Sequence, residues 1–247
     1  MDFSKVQPII NESALYIEKE KTVVIADLHI GIENELIKQG INTKSQTKKM
    51  TKRVIDICKK HKTKKIVLLG DIKHNIPTST YWEKKDVKIF LETIEQYGEI
   101  HIYPGNHDGN IKRYITKNTI MHPSDGDIIK KIGYVHGHRW PNKKIMKSEI
   151  IIMAHTHPTI MLTDRRGYKM FEPCWIKTNF SNKKLKEKYP ESVNPKLIIL
   201  PAFNPLCGGM AINKDGIMGP IGKIINLNDS KVFLLDGLEI GKIKDIN

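Results

Sequence analysis

The first half of the chain alternates short apolar runs with amphipathic stretches, a pattern that predicts strands alternating with helices. Three apolar runs are typical of buried strands, at residues 23–26, 66–69 and 99–103. Between and after them, apolar residues at helical spacing predict helices at residues 31–38 and 45–60. A third helix is predicted with an apolar face formed by Val87, Phe90, Leu91 and Ile94. This order is typical of βαβ units around a parallel sheet.

The second half is richer in strands. Short apolar runs at residues 132–135, 150–153 and 197–200 are separated by turn residues, and residues 232–235 and 238–243 predict a closing hairpin. A short charged helix is predicted at residues 183–188. Both halves fit a single α/β domain over residues 1–247 with its sheets in a layered sandwich.

One segment, residues 164–194, allows two interpretations. It carries Arg165, Arg166, Trp175, Phe180 and several lysines. The first interpretation is an insertion that forms a loop over the functional site and influences substrate choice, because substrate-selecting residues are concentrated on loops. The second is a surface insertion whose aromatic residues pack against the domain.

Composition excludes several classes of protein. Apolar residues make up 39% and charged residues 28%, which excludes a disordered or collagen-like chain. No apolar run approaches the roughly 18 residues that span a membrane, and the first five residues lack the order of a signal peptide. Cys58, Cys174 and Cys207 form no CxxC pair, which argues against a disulfide framework or a thiolate zinc site. The sequence predicts a cytoplasmic protein.

The charge balance leaves two interpretations open. Lys and Arg number 41 against 27 Asp and Glu, a net charge of +14. Such a balance suits a polyanionic partner, because ammonium groups attract phosphates and release counterions. The excess is mostly lysine dispersed along the chain, and the lysine-rich stretches lack the interleaved aromatic residues that stack on bases. Nucleic acid and solvated faces are therefore both compatible with the charge.

Candidate chemistry is concentrated where the apolar runs end. Five such ends carry metal-binding side chains: Asp27-Leu-His29, Gly70-Asp71, Gly105-Asn106-His107-Asp108, His136, and His155-Thr-His157. α/β folds gather their ligands at the carboxyl ends of strands. In extended backbone, the two residues on either side of one intervening residue, such as Asp27 and His29 or His155 and His157, would point to the same side. Oxygen and imidazole ligands suit Mn²⁺, Fe or Zn²⁺. Two carboxylates and four imidazoles are too many for one ion and suit two.

Together, these motifs resemble those of the calcineurin-like metallophosphoesterases. The longer strings at residues 26–33, 69–77 and 200–209 are similar to the archaeal ICC-like branch, which is related to the bacterial DNA-ligase-associated phosphoesterases. The resemblance extends from Val6 to Ile243. It implies a four-layer αββα sandwich in which two mixed β-sheets are flanked by helices. Ala154 stands where the family usually has glycine, a departure that removes no ligand.

The resemblance also implies roles for the motif residues. Two divalent cations are expected, Mn²⁺ first, with Fe, Zn²⁺ and Ni²⁺ as alternatives. One would be held by Asp27, His29 and His157, the other by Asn106, His136 and His155. Asp71 would bridge them at a separation of roughly 3.5–4 Å. His107 would donate a hydrogen bond or proton to the phosphoryl or leaving oxygen, and Asp108 would orient it.

Two further histidines lie beside these motifs. His74 follows Asp71 by three residues and is a candidate phosphate contact. His138 follows His136 by two residues. It allows a contact to the substrate or to a metal ligand, and equally an exposed position in a turn.

The resemblance implies hydrolysis of a phosphate ester by a hydroxide that bridges the two cations and attacks phosphorus in line. The predicted substrate is a phosphodiester of a nucleotide or nucleic acid. Two alternatives remain open. One is a small-molecule phosphomonoesterase with the same centre. The other is a non-catalytic partner protein on the same fold, which would be expected to have lost ligands. Nothing in the sequence indicates an oligomeric state.

Overall fold

Two β-sheets pack face to face in the computed structural model, which describes residues 6–246. The first five residues, on which the expectation about a signal peptide rests, lie outside the described residues. Within the described range, no helix is long and apolar enough to cross a membrane.

The first sheet has six strands within residues 6–246, in spatial order β1 to β6. They are β1 (Gln7–Pro8), β2 (Leu15–Ile17), β3 (Thr22–Ile25), β4 (Lys65–Leu68), β5 (Glu99–Ile102) and β6 (Ile120–Met121). Strands β3 to β6 run parallel, whereas β1 and β2 are antiparallel. The three predicted strands of the first half are confirmed as β3, β4 and β5, each ending one residue earlier than predicted.

Helices cover the outer face of this sheet. The three helices of the first half are α1 (Ile32–Lys38), α2 (Thr47–His61) and α3 (Tyr81–Ile94), as predicted. The inner stripe of α2 is buried, and its lysines lie on the other face. Thr80 caps α3, because its hydroxyl accepts a hydrogen bond from the Glu83 amide at 3.2 Å.

The second sheet is built from the rest of the described chain. Its strands are β7 (Asp127–Ile129), β8 (Ile132–Val135), β9 (Ile150–Met153), β10 (Pro158–Thr163), β11 (Lys169–Asn179), β12 (Lys196–Ile199), β13 (Met210–Ala211), β14 (Lys231–Leu234) and β15 (Glu239–Lys242). The main path runs β13-β10-β11-β12-β9-β8-β7, and the predicted closing hairpin, β14 and β15, joins it through β11. Two short helices, α4 (Asn182–Lys188) and α5 (Ile212–Asp215), lie on this half.

Residues 169–188 do not form a loop over the site. They form β11, which pairs with β10, β12 and β14, and then α4. The aromatic side chains are taken into the core, since Trp175 and Phe180 are almost fully buried. The turn between β10 and β11, with Arg165 and Arg166, is an exposed loop.

Three apolar clusters define the layers. One lies between the helices and the first sheet and includes Val23 and Phe90, while a second lies between the two sheets and includes Val24 and Tyr134. The third packs α4 and α5 against the second sheet. Val23 and Val24 point to opposite faces because side chains alternate along a strand. The predicted sandwich of two mixed sheets with helices outside is confirmed.

Candidate metal centre

Loops from both sheets meet at one edge of the sandwich. Asp27 and His29 follow β3, Asp71 follows β4, and Asn106 follows β5, while His136 follows β8 and both His155 and His157 follow β9. Backbone hydrogen bonds tie these loops together. The His29 amide donates to the Asp71 carbonyl at 2.8 Å, and the His155 amide reaches Asp27 Oδ2 at 3.2 Å. The second contact connects the two sheets directly.

Five of these residues have left-handed backbone. Their φ angles are 53° at Asp27, 39° at His29, 48° at Asp71, 73° at His155 and 46° at His157. The expectation that an extended backbone points both side chains of each pair to one side is therefore wrong. A bent backbone brings these side chains together, at a strain of about 1–3 kcal/mol per residue. Such strain persists where surrounding contacts over-determine the conformation, and it is concentrated at functional sites.

Asp71 lies between two groups of metal-binding atoms. Its Oδ2 is 3.6 Å from His29 Nε2 and 3.5 Å from His136 Nε2, and its Oδ1 accepts a hydrogen bond from the His107 amide at 2.9 Å. One group joins Asp71 to Asp27 and His29, the other joins it to His136 and His155. Within each group the ligand atoms lie within 4.8 Å of one another. A carboxylate shared by both groups can contact two cations.

Asp27 is the other central carboxylate. Its Oδ1 is 3.0 Å from His136 Nε2 and 3.4 Å from His157 Nε2, and its side chain is fully buried. Burial opposes ionisation of Asp27, but the facing His157 and His136 hold its pKa well below the usual range. Burial also disfavours the charged form of His157, yet Asp27 raises the pKa of that imidazole to about 9. Asp27 is therefore ionised, and its buried negative charge favours a cation beside it.

The donor set fits divalent cations. His29 Nε2 and His157 Nε2 are buried and have no hydrogen-bond partner among the described residues. The Gly208 carbonyl accepts from His157 Nδ1 at 3.1 Å, so Nδ1 carries a proton and the Nε2 lone pair is free in the neutral ring. Burial lowers the pKa of His29 to about 2, which keeps that imidazole in the neutral, metal-binding form. Either a proton, as the raised pKa of His157 indicates, or a metal cation between such a nitrogen and a carboxylate stabilises this arrangement.

Asn106 and His155 complete the set of seven. Asn106 is exposed and lines, with His29, Asp71 and His155, a cavity of about 460 Å³. Its side chain makes no hydrogen bond to any described residue. The ring of His155 lies 4.9 Å from that of His136, and burial together with His136 lowers the His155 pKa to about 4. The structure thus gathers six of the predicted ligands tightly and places Asn106 at the open side.

Asp108 does not orient His107. Its carboxylate accepts hydrogen bonds from the backbone amides of Ile72, Lys73 and Gly105 at 2.8, 3.3 and 2.8 Å, which fastens the loop after β4 to the loop after β5. His107 Nδ1 instead donates to the carbonyl of His74. Burial and the nearby Asp71 raise the pKa of Asp108 to about 6. The predicted role is corrected because the buried amides need an acceptor more than the imidazole does.

His74 and His138 have both ring nitrogens occupied. His74 Nε2 meets Glu35 Oε2 at 2.6 Å, and its Nδ1 meets His29 Nδ1 at 3.2 Å. The ring of His74 therefore has no free nitrogen for the predicted phosphate contact. His138 Nδ1 lies 3.1 Å from His136 Nδ1, and its Nε2 accepts from Arg139 at 3.1 Å. His138 thus contacts a candidate ligand and not an open cavity.

Sequence reasoning missed three supporting residues. Glu35 holds His74, Glu83 accepts from the His74 and Asn75 amides at 2.8 and 2.7 Å, and Cys207 Sγ lies within 4.8 Å of nitrogens of His29 and His157. Burial raises the pKa of the Cys207 thiol. No sequence signal pairs Glu35 with a histidine 39 positions away. Cys207 had a weak signal, its place in the family-like string at residues 200–209.

Gly70 offers a test of this packing. Its φ is +82°, and an added Cβ would overlap the His136 ring. Gly70→Ala is expected to displace His136 and lower the metal content per chain, measured by elemental analysis after metal loading. Gly40→Ala is the matched control, since Gly40 has a similar φ of +84° and no atom within 4 Å of an added Cβ. Equal metal content in both variants would contradict the assignment of His136.

A sandwich of two mixed sheets with Asp, His and Asn side chains at the strand ends defines the metallophosphoesterase class of folds. The chain belongs to the calcineurin-like phosphoesterase family, whose model matches residues 20–200. The resemblance inferred from the motifs is confirmed at the level of the family.

A solved structure shows the same fold. The Pseudomonas putida nuclease MPE is 16% identical with a TM-score of 0.57, over 94% of this chain and 97% of that one. Yfce, a phosphoesterase from E. coli, is 16% identical with a TM-score of 0.39, over 90% of this chain and 97% of that one. Comparison with curated proteins gives no match.

Proposed function

We propose that this protein is a dinuclear metal-dependent phosphodiesterase that hydrolyses phosphate esters of nucleotides or nucleic acids. The observation that carries the proposal is the position of Asp71 in both groups of ligand atoms, with unpartnered imidazole nitrogens on His29 and His157. A shared carboxylate is what two adjacent cations need. We further propose a cytoplasmic location and the archaeal ICC-like branch.

The ligand assignment follows the grouping. Asp27, His29 and His157 would hold one cation, Asn106, His136 and His155 the other, and Asp71 both. The oxygen and imidazole set is compatible with several divalent metals; we expect Mn²⁺ from the resemblance to the family, with Fe, Zn²⁺ and Ni²⁺ as the alternatives. When bound, such cations supply Lewis acidity toward phosphoryl oxygens and lower the pKa of water.

His107 is the proposed catalytic residue. The His74 carbonyl can only accept, so it fixes the proton of His107 on Nδ1 and leaves Nε2 for a ligand in the cavity that His107 lines. A protonated Nε2 donates to the leaving-group oxygen as the ester bond breaks. Asp108 contributes indirectly, since it fastens together the loops that carry Asp71 and His107.

Glu35 and His74 are proposed to position His29. The Glu35 carboxylate accepts from His74 Nε2, so the proton of a neutral His74 is on Nε2 and its Nδ1 accepts from His29 Nδ1. The proton of His29 is thereby fixed on Nδ1, which leaves Nε2 free beside Asp71. Hydrogen bonds of this kind orient metal-binding histidines and raise their affinity.

Glu35→Gln is expected to weaken binding of the first cation about 10- to 100-fold, the usual effect of losing such a partner. Isothermal titration with Zn²⁺ measures the affinity, and two-bond ¹H–¹⁵N correlation spectra report the His29 tautomer in the metal-free protein. Glu92→Gln is the control, because within residues 6–246 Glu92 pairs only with Lys88, on the exposed face of α3. An unchanged affinity with an unchanged His29 spectrum would remove the positioning role.

The test of the function compares two substrates. Purified protein loaded with Mn²⁺ is expected to hydrolyse bis-p-nitrophenyl phosphate faster than p-nitrophenyl phosphate, with two metals per chain by elemental analysis. The net charge of +14 favours an anionic polymer or nucleotide over a neutral partner. Preference for the monoester would favour the phosphomonoesterase alternative. No hydrolysis of either ester, with fewer than two metals per chain, would favour the non-catalytic alternative.

A further inference from the structure

A second cavity opens directly beside the metal centre. Its volume is about 330 Å³, within the range of small-molecule sites, and it shares His157 and Gly209 with the cavity over the metal centre. A phosphate at the metal centre would therefore lie beside this second cavity. We name it the side cleft, lined by Arg53, Thr159, Phe171, Pro173, Phe203 and Leu235.

The register of β10 and β11 builds one wall of the side cleft. Thr159 pairs with Pro173, and Met161 pairs with Phe171, so Thr159, Pro173 and Phe171 lie on one face of the hairpin. That hairpin begins at Pro158, the residue after His157. A ligand that leaves the metal centre along this face meets Thr159 first and Phe171 next. Phe171 is 56% exposed, so its ring is accessible to a ligand in the side cleft.

The opposite wall is held rigidly. The Arg53 guanidinium lies over the Phe203 ring at 4.1 Å, donates to the Phe203 carbonyl at 3.0 Å and pairs with Glu12 at 2.6 Å. Because Glu12 neutralises Arg53, this wall offers a flat, polarisable surface and not a second phosphate anchor. The cleft is therefore suited to a planar, uncharged ring.

One polar atom in the side cleft lacks a partner. Thr159 Oγ1 is buried and makes no hydrogen bond to any described residue. A buried hydroxyl without a hydrogen-bond partner destabilises the protein. A ligand with donors or acceptors at its edge would remove that cost by bonding the hydroxyl. A planar ring with polar edges meets this requirement, whereas a simple hydrocarbon ring does not.

Positive charge lies at the far end of the same hairpin. The exposed turn between β10 and β11 carries Arg165 and Arg166, two of the five arginines in the chain, and Lys169 follows. A ligand that carries further phosphates beyond its ring would meet complementary charge there.

We infer that the side cleft is a nucleobase-binding subsite, in which Phe171 stacks on the base next to the scissile phosphate and Thr159 hydrogen-bonds its edge. This inference rests on the proposed phosphodiesterase function and adds its specificity. Aromatic side chains bind bases by stacking whatever the sequence, because every base has a π face.

The experiment compares two diesters with the same leaving group. Thymidine 5′-(4-nitrophenyl phosphate) and methyl 4-nitrophenyl phosphate differ only in the nucleoside, so the ratio of their kcat/KM values isolates its contribution. The wild-type ratio is expected to favour the thymidine ester at least about tenfold, and Phe171→Ala is expected to lower it about tenfold. Thr159→Val is expected to lower it less. Tyr81→Ala, at a 71% exposed aromatic on α3, is the control that keeps the ratio.

The outcomes separate the two proposals. Hydrolysis of neither ester by metal-loaded wild type would contradict the phosphodiesterase function itself. Hydrolysis of both with a ratio near one, or a ratio unmoved by Phe171→Ala, would overturn the subsite alone. Phenyl 4-nitrophenyl phosphate could show the same kcat/KM advantage over the methyl ester as the thymidine ester does, with no effect of Thr159→Val. That result would show an apolar ring pocket and overturn the assignment to a base. A Phe171→Ala change confined to self-association, measured by sedimentation, would assign this face to a second copy and overturn the inference.

Discussion

His107→Ala is expected to lower kcat for bis-p-nitrophenyl phosphate by about 10²–10⁴-fold, the usual contribution of a positioned general acid. The leaving oxygen would then depart without the proton that the His107 ring donates, since the His74 carbonyl holds that ring at the cavity. KM should change little, since the lost interaction develops as the ester bond breaks. Steady-state kinetics with Mn²⁺ at saturating metal measure both constants.

Metal content distinguishes this role from a structural one. The His107 amide, and not its ring, bonds Asp71, so the alanine variant retains that contact and should bind as much metal as the wild type. His61→Ala is the control, because His61 packs against Tyr16 outside the site. Loss of bound metal together with activity would assign His107 to the ligands, and a kcat within twofold of wild type would remove it from catalysis.

Periodicity was sufficient for the elements and their order. Strands β3, β4 and β5 and helices α2 and α3 each have a strong apolar signal, because every one of them buries a full face or a stripe. The strands β1, β6 and β7, of two or three residues each, have no comparable pattern. Residues 169–179 gave no strand signal in the sequence because the exposed first half of β11 masks the buried half around Trp175.

The convergence of the candidate site residues was predictable, but the contacts among them were not. Strand ends followed by Asp, Asn or His identify residues that converge, since parallel strands share one edge. The left-handed backbone at Asp27 and His29 has only a weak signature in the sequence, because Asp and His adopt it more often than most residues but usually do not. Likewise, the Asp108 and His74 contacts depend on which buried amides and nitrogens lack partners, and that is decided only by packing.

Asp71→Asn is expected to remove both cations, with metal content falling from two per chain to well below one. Two divalent charges about 4 Å apart repel by roughly 16 kcal/mol at an effective dielectric constant of 20. Asp71 and Asp27 are the carboxylates that offset this repulsion. The amide keeps the size of the side chain and the acceptor for the His107 amide, so the fold is retained while one negative charge is lost.

The comparison with Asp27→Asn makes the test specific. Asp27 belongs to one of the two groups that contain Asp71, so its amide variant should lose one cation more readily than the other, whereas Asp71→Asn should lose both at the same metal concentration. Elemental analysis after dialysis against a graded series of Mn²⁺ concentrations measures both. Asp56→Asn, on the exposed face of α2 beside Lys52, is the charge-matched control and should keep two. One site that stays fully occupied in Asp71→Asn at every Mn²⁺ concentration would contradict the shared role, because loss of the negative charge of a shared ligand should weaken both sites.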